Sequence, residues 1–243
     1  MAGSTDIEKL LQAVAEDLRL LAALHAAELT AEQLEELRQF PFQDYLGLVA
    51  DNAVTRDALA AMDAALAATG ASAAATIDTL AADFADIYLT YRYRAAPSES
   101  AWLHPEHLER QEPMFAVRAW HRRFGVQVPD WRIRPDDHLV NELLLVAHIL
   151  EHEPPPRAMA AAGRFLDDHL LLWAPDFCAR VAARCATPFY AALALSSAAY
   201  LEEVRALLEQ LTGKTRQVRQ PADTVTVPAC AEPRSVPGRA PGW

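Results

Sequence analysis

The chain has 243 residues, 52% of them hydrophobic but only 8% aromatic, because alanine and leucine dominate. It is long enough to bury a core without disulfides or metal, and its few strand formers make it read as almost wholly helical. The formal charge of −11 is uneven, with 17 basic and 31 acidic residues before Gly213, and such an acidic body excludes nucleic acid and favours a basic partner.

The opening TDIEKLLQAVAEDLRLLAAL follows a Ser4/Thr5/Asp6 capping cluster and sets Ile7, Leu10, Leu11, Val14, Leu18 and Leu21 at helical spacing. Shorter helices are expected at 31–39 and 42–50 around Pro41, and longer ones at 55–68 and 72–92 on either side of Gly70. Residues 94–105, with Pro97 and Pro105, read as a loop leading into a helix at 106–123, and the apolar-aromatic 124–135 reads as irregular. Beyond a helix at 136–152, the run EPPP precedes helices expected at 157–173, 176–185 and 187–211. This is an all-α fold of about ten helices in one domain over 1–212, grouped as 1–93 and 106–212 and joined by the 94–105 loop. From Gly213 the chain holds five of the 16 prolines without apolar periodicity and is expected to be disordered.

Cys178, Cys185 and Cys230 make neither an even disulfide set nor a CxxC pair. The N-terminus lacks the basic and apolar regions of a signal peptide, and no apolar run approaches the roughly 18 residues of a membrane span. A reduced, cytoplasmic location without membrane insertion is the resulting expectation.

The stretch RPDDHLVNELLLVAHILEH, residues 134–152, joins an apolar core helix to ionisable groups. Leu139, Leu143, Val146 and Leu150 share one face, while His138 and Glu142, one turn apart, run into Leu145 and Ile149 like the lip of a groove. A plainer reading has Pro135 and the Asp136/Asp137 pair simply starting the helix. His148, Glu151 and His152 fit the H-x-x-E-H pattern of inverted zinc peptidases, so a helical metalloenzyme is the alternative function. The TGKT at 212–215 lacks the earlier glycine and strand of a phosphate loop, and the internal HRRF at 121–124 reads as exposed charge.

PDDHLVNE (Pro135, Asp137, His138, Leu139, Glu142), PSESAWL (Pro97, Ser100, Trp102, Leu103), HLLLWAPDF (His169, Leu170, Trp173, Phe177) and TPFYAAL (Pro188, Phe189, Tyr190) occur in an order that resembles the TorD/DmsD family of redox-enzyme maturation chaperones. The chain departs from the family in reading YLTYRYR after Tyr88, where a Gly-Pro turn is common, and Ser98-Glu99 where Trp-Gly is common. The resemblance implies a non-catalytic, cofactor-free chaperone that binds the twin-arginine signal peptide, and the mature part, of a molybdenum-cofactor oxidoreductase until its cofactor is inserted. It implies a peptide-binding surface of Pro135, Asp137, His138 and Glu142 with Tyr88, Ser100, Trp102, Leu103 and Trp173. It also allows either a monomer or a dimer that exchanges helices through the 94–105 or 124–135 connection. On that reading Asp137→Lys would weaken peptide binding without affecting melting. The peptide's apolar stretch, at about 25 cal/mol per Å², would dominate affinity, while exposed ion pairs at about 0–1 kcal/mol each would select the partner.

Overall fold

The computed structural model describes residues 4–49, 52–69 and 73–217, and every regular element among them is helical. Helix α1 (Ser4–Ala26) buries the Leu11, Val14, Leu18 and Leu21 stripe that its sequence sets out. Helix α2 (Ala31–Leu37) starts at a reciprocal Thr30/Gln33 capping box, and α3 (Ala53–Ala68) at Asn52, whose side chain accepts from the Thr55 amide. Then follow α4 (Ala73–Phe84), α5 (Glu99–Leu103), α6 (Glu112–Arg123), α7 (Leu139–His152), α8 (Pro155–Phe165), α9 (Leu171–Arg184) and α10 (Pro188–Thr212). The last of these is capped by Thr187 at its start and by left-handed Gly213 (φ +67°) at its end.

The halves before and after the 94–105 loop interlock. Helix α1 packs most extensively on α7, and α10 lies against both α3 and α9. One continuous apolar cluster results, running from Leu11 to Leu208. Among the described residues no helix is long and apolar enough to cross a membrane.

Several boundaries differ from the sequence expectation for identifiable reasons. The expected 42–50 helix is only a 3-10 turn at Phe42–Tyr45, closed by Asp63, which accepts from the Phe42 amide. The expected 106–123 helix begins at Glu112, because His107 and Arg110 adopt positive φ (53° and 59°) that a helix cannot continue through. The 72–92 helix widens into a π turn at Ala85–Leu89 and stops before Tyr91, another positive-φ residue.

Pro175, expected to separate two helices, instead lies inside α9. It lacks the amide that would bond the Leu171 carbonyl, and a π turn at Leu166–Leu170 just upstream opens the spiral to admit its ring. The freed carbonyl accepts from Arg216 Nη2 at 3.4 Å.

Arg216 belongs to the stretch expected to be loose. Residues 214–217 instead fold back on α10 and the π turn: Arg216 pairs with Glu202 at 2.9 Å, and the Gln217 amide donates to Asp167 Oδ2 at 3.1 Å. Asp167 is itself gripped by the Arg205 fork at 2.6 and 2.9 Å, both residues being buried. The rest of the expected tail, 218–243, lies outside the described residues. A chain ended at Gly213 should therefore melt below one ended at Gln217 by about 1–2 kcal/mol of stability, which scanning calorimetry would register as a fall of roughly 2–8 °C.

Candidate functional site

Two loop segments, Pro97–Ser100 and Pro135–Leu139, meet side by side at the head of α7. The Glu99 amide donates to the Asp137 carbonyl and the Leu139 amide to the Pro97 carbonyl, both at 2.9 Å, around an antiparallel Ser98–His138 bridge. Asn141 Nδ2 ties down the preceding turn by donating to the Pro135 carbonyl at 2.7 Å. Asp136 is held in an ion pair with Arg118 at 2.7 Å, and the guanidinium lies over the Trp131 ring.

The cap of α7 is His138, whose Nδ1 accepts from the Val140 amide at 3.1 Å. Burial, then Arg134 and His25 nearby, depresses its pKa to about 3, so the ring is neutral, as an acceptor must be. Asp137 caps a different helix: its Oδ2 accepts from the Ser100 amide at 2.8 Å and from the Ser100 hydroxyl at the start of α5.

Asp137 and Glu142 are 0% exposed, so neither lines the open groove that the sequence reading expected. They belong to an interior cluster with Glu99, whose carboxylate meets His169 Nδ1 at 3.0 Å. Glu142 Oε2 accepts from Trp173 Nε1 at 3.4 Å, while Glu142 Oε1 and Asp137 Oδ1 have no donor. Glu142 also lies in hydrogen-bonding relation to Glu99, a contact between carboxyls that requires a proton. Burial, with Glu99 and Asp137 beside it, holds Glu142 well above the usual carboxylate range; burial lifts Asp137 to about 6 against the pull of its Ser100 bonds.

Other expected site residues are also interior. Tyr88 is in the core, its hydroxyl against His25 Nδ1 and its ring packed on Phe84, Phe177 and Tyr190. Trp173, Ser100 and Pro135 are buried, and half-buried Trp102 donates to the Ala96 carbonyl while Arg180 lies over its ring. Leu103, at 40% exposure, is the one that lines an opening.

That opening is a cleft of about 570 Å³ between α5, the 104–113 turn, α6 and the π turn before α9. Glu99 and His169 line its inner end, Leu103, Pro105, Pro113, Ala116 and Leu172 supply apolar surface, and Glu112 and Asp168 add further acid. Asp168 is also paired with the exposed Arg164 at 3.1 Å. Glu99, Glu112 and Asp168 escaped the sequence reading because each lies in a different segment. The one available signal was an acid at position 99 within the resembled loop.

The H-x-x-E-H alternative does not assemble. Glu151 is bound by Arg19, His148 Nε2 faces the Phe124 carbonyl at 3.2 Å, and His152 Nδ1 faces the His148 carbonyl at 3.1 Å. Among the described residues no three His, Cys, Asp or Glu side chains are grouped to hold a metal ion.

The nitrate reductase delta subunit family matches residues 48–179. The chain is 31% identical over 170 residues to a chaperone protein TorD of Vibrio vulnificus, covering 67% of this chain and 79% of that protein. It is 28% identical over 181 residues to one of Aliivibrio fischeri, covering 71% and 84%. A TorD of Aliivibrio salmonicida is 27% identical over 190 residues, or 75% and 88%. With these matches, its all-helical fold and a polar hub tying its loops together, the chain belongs to the TorD/DmsD family of redox-enzyme maturation chaperones, and it is not an enzyme.

Proposed function

We propose that the chain works in the cytoplasm and that its 570 Å³ cleft binds the twin-arginine signal peptide of a molybdenum-cofactor oxidoreductase, holding that client back from export until its cofactor is in place. The observation that carries this reading is the merging of acid and apolar surface in one cleft: Glu99, Glu112 and Asp168 beside Leu103, Pro113 and Leu172. A signal peptide has the same two parts, adjacent arginines and then an apolar run. Guanidinium groups suit carboxylates, and the apolar run suits a dry wall.

Pro135, Asp137, His138, Glu142, Ser100 and Trp173 serve this cleft from behind. They fix the 97–100 segment that carries Glu99 and the helix that presents Leu103. Trp102 holds the same loop against the core through the Ala96 carbonyl and the Phe177 ring, on which Tyr88 also packs. Ordering a flexible peptide offsets much of the contact energy, which leaves the reversible grip a proofreading chaperone needs.

The test is titration calorimetry with a synthetic peptide carrying two adjacent arginines followed by an Ala/Leu run, beside its twin-lysine counterpart. Glu112→Lys combined with Asp168→Lys should weaken binding by about tenfold and leave the chain folded, because Glu112 is exposed and half-buried Asp168 loses only its pair with the exposed Arg164, worth about 0–1 kcal/mol. Equal binding by this variant and the unaltered chain would rule the cleft out.

A further inference from the structure

We infer that Glu99 and His169 form a cation subsite at the inner end of the cleft, and that a guanidinium seated there drives a proton from the interior Glu99–Asp137–Glu142 carboxyl cluster into solvent. This rests on the signal-peptide reading and adds to it a change of protonation state in the protein. Glu99 is a departure inside the PSESAWL block, where the resembled family commonly has glycine, so the subsite would be a property of this chain.

The cluster is short of positive charge. Glu142 faces Glu99 from α5, Asp137 from the turn before α7 and the Trp173 N–H from α9. His169, from the π turn, is the cation-capable group that touches the cluster, through Glu99. Arg118, the arginine whose charge is felt at Asp137, is already bound by Asp136. Arg134 and His25 act on His138 instead.

With two buried oxygens lacking donors and the Glu142 carboxyl set against Glu99, the cluster stores a proton on Glu142. Burial is what keeps Glu142 neutral, and a nearby positive charge works against that preference. Arginine itself cannot supply the released proton, since its pKa lies above about 12. The proton must come from the protein, leaving a carboxylate that the incoming guanidinium neutralises.

Glu99 and His169 line the cleft, so the ligand reaches the cluster without entering the core. Glu142 transmits the effect through its contact with Glu99. Affinity for a twin-arginine peptide should accordingly rise with pH across neutrality, in proportion to the protons released.

The experiment is calorimetric titration of the full chain with the two-arginine Ala/Leu peptide at pH 7, in phosphate and in imidazole, whose ionisation heats differ. The difference in observed heat counts the protons exchanged. A net release is expected for the unaltered chain and its disappearance in Glu142→Gln, a neutral isostere that keeps the bond to Trp173 and still binds peptide. Asp168→Asn, at the mouth, should weaken binding but leave the proton count unchanged. Peptide binding with equal heats in both buffers, or with undiminished release in Glu142→Gln, overturns the inference and leaves the signal-peptide reading intact. Absence of binding by the unaltered, folded chain overturns both.

Discussion

Asp137→Lys should fail to fold, or fold only as an aggregation-prone remnant, because the side chain has no solvent to reach. Its carboxylate fastens α5 by accepting from the Ser100 amide and hydroxyl, and its carbonyl accepts from Glu99. Lysine would remove the acceptor, leave a buried amide unpaired and place an ammonium in the interior. Each of these defects costs on the order of 1–3 kcal/mol or more, against a typical total stability of about 5–15 kcal/mol. Loss of the cooperative melting transition, with circular dichroism showing reduced helix, is the expected result. A variant that melts like the unaltered chain would show that Asp137 lies at a surface after all. Asp137→Asn is the milder comparison: it keeps one acceptor oxygen for Ser100 and should fold.

Arg205→Ala should be the other severe change, although it lies far from the cleft. The guanidinium makes a two-pronged contact with Asp167, and both groups are close to fully buried. Arg216 at 3.9 Å and the Gln217 amide at 3.1 Å are too few to compensate Asp167 alone. Removing one partner of a buried pair costs about 3–5 kcal/mol, a fall in melting temperature of roughly 6–20 °C for a chain of this size. Replacing both at once, Arg205→Met with Asp167→Leu, should recover most of the loss, because no buried charge is then left unpaired. Additive losses in the double variant, read by chemical denaturation, would mean the pair is not coupled.

Much of the fold was legible because its signals are local. The Ser4/Thr5/Asp6 cluster at the first helix, Gly213 after the last, and the α1 stripe each announce a boundary or a buried face within a few residues. Pro175 misled because the means of tolerating it, a π turn and the distant Arg216, is not written beside it. The site was legible only in part. Helix α7 buries Val140, Leu145, Ala147 and Ile149 as well as the Leu139, Leu143, Val146 and Leu150 face, with Leu144 its one exposed large hydrophobic side chain. A helix apolar on nearly every side belongs in the interior, and it takes His138 and Glu142 in with it. The cleft could not be read from any one segment, since its acids come from α5, α6 and the π turn.

The interlocked packing also has a consequence for synthesis on the ribosome. Helix α1 emerges first, yet its stripe of Leu11, Val14, Leu18 and Leu21 is covered mainly by α7, and α3 awaits α10 at the far end of the described chain. Neither early helix can bury its apolar face until most of the polypeptide exists. Contacts so distant in sequence slow folding and leave sticky surface open in the interval. A protein whose work is to shelter unfinished clients is, while being made, an unfinished client itself.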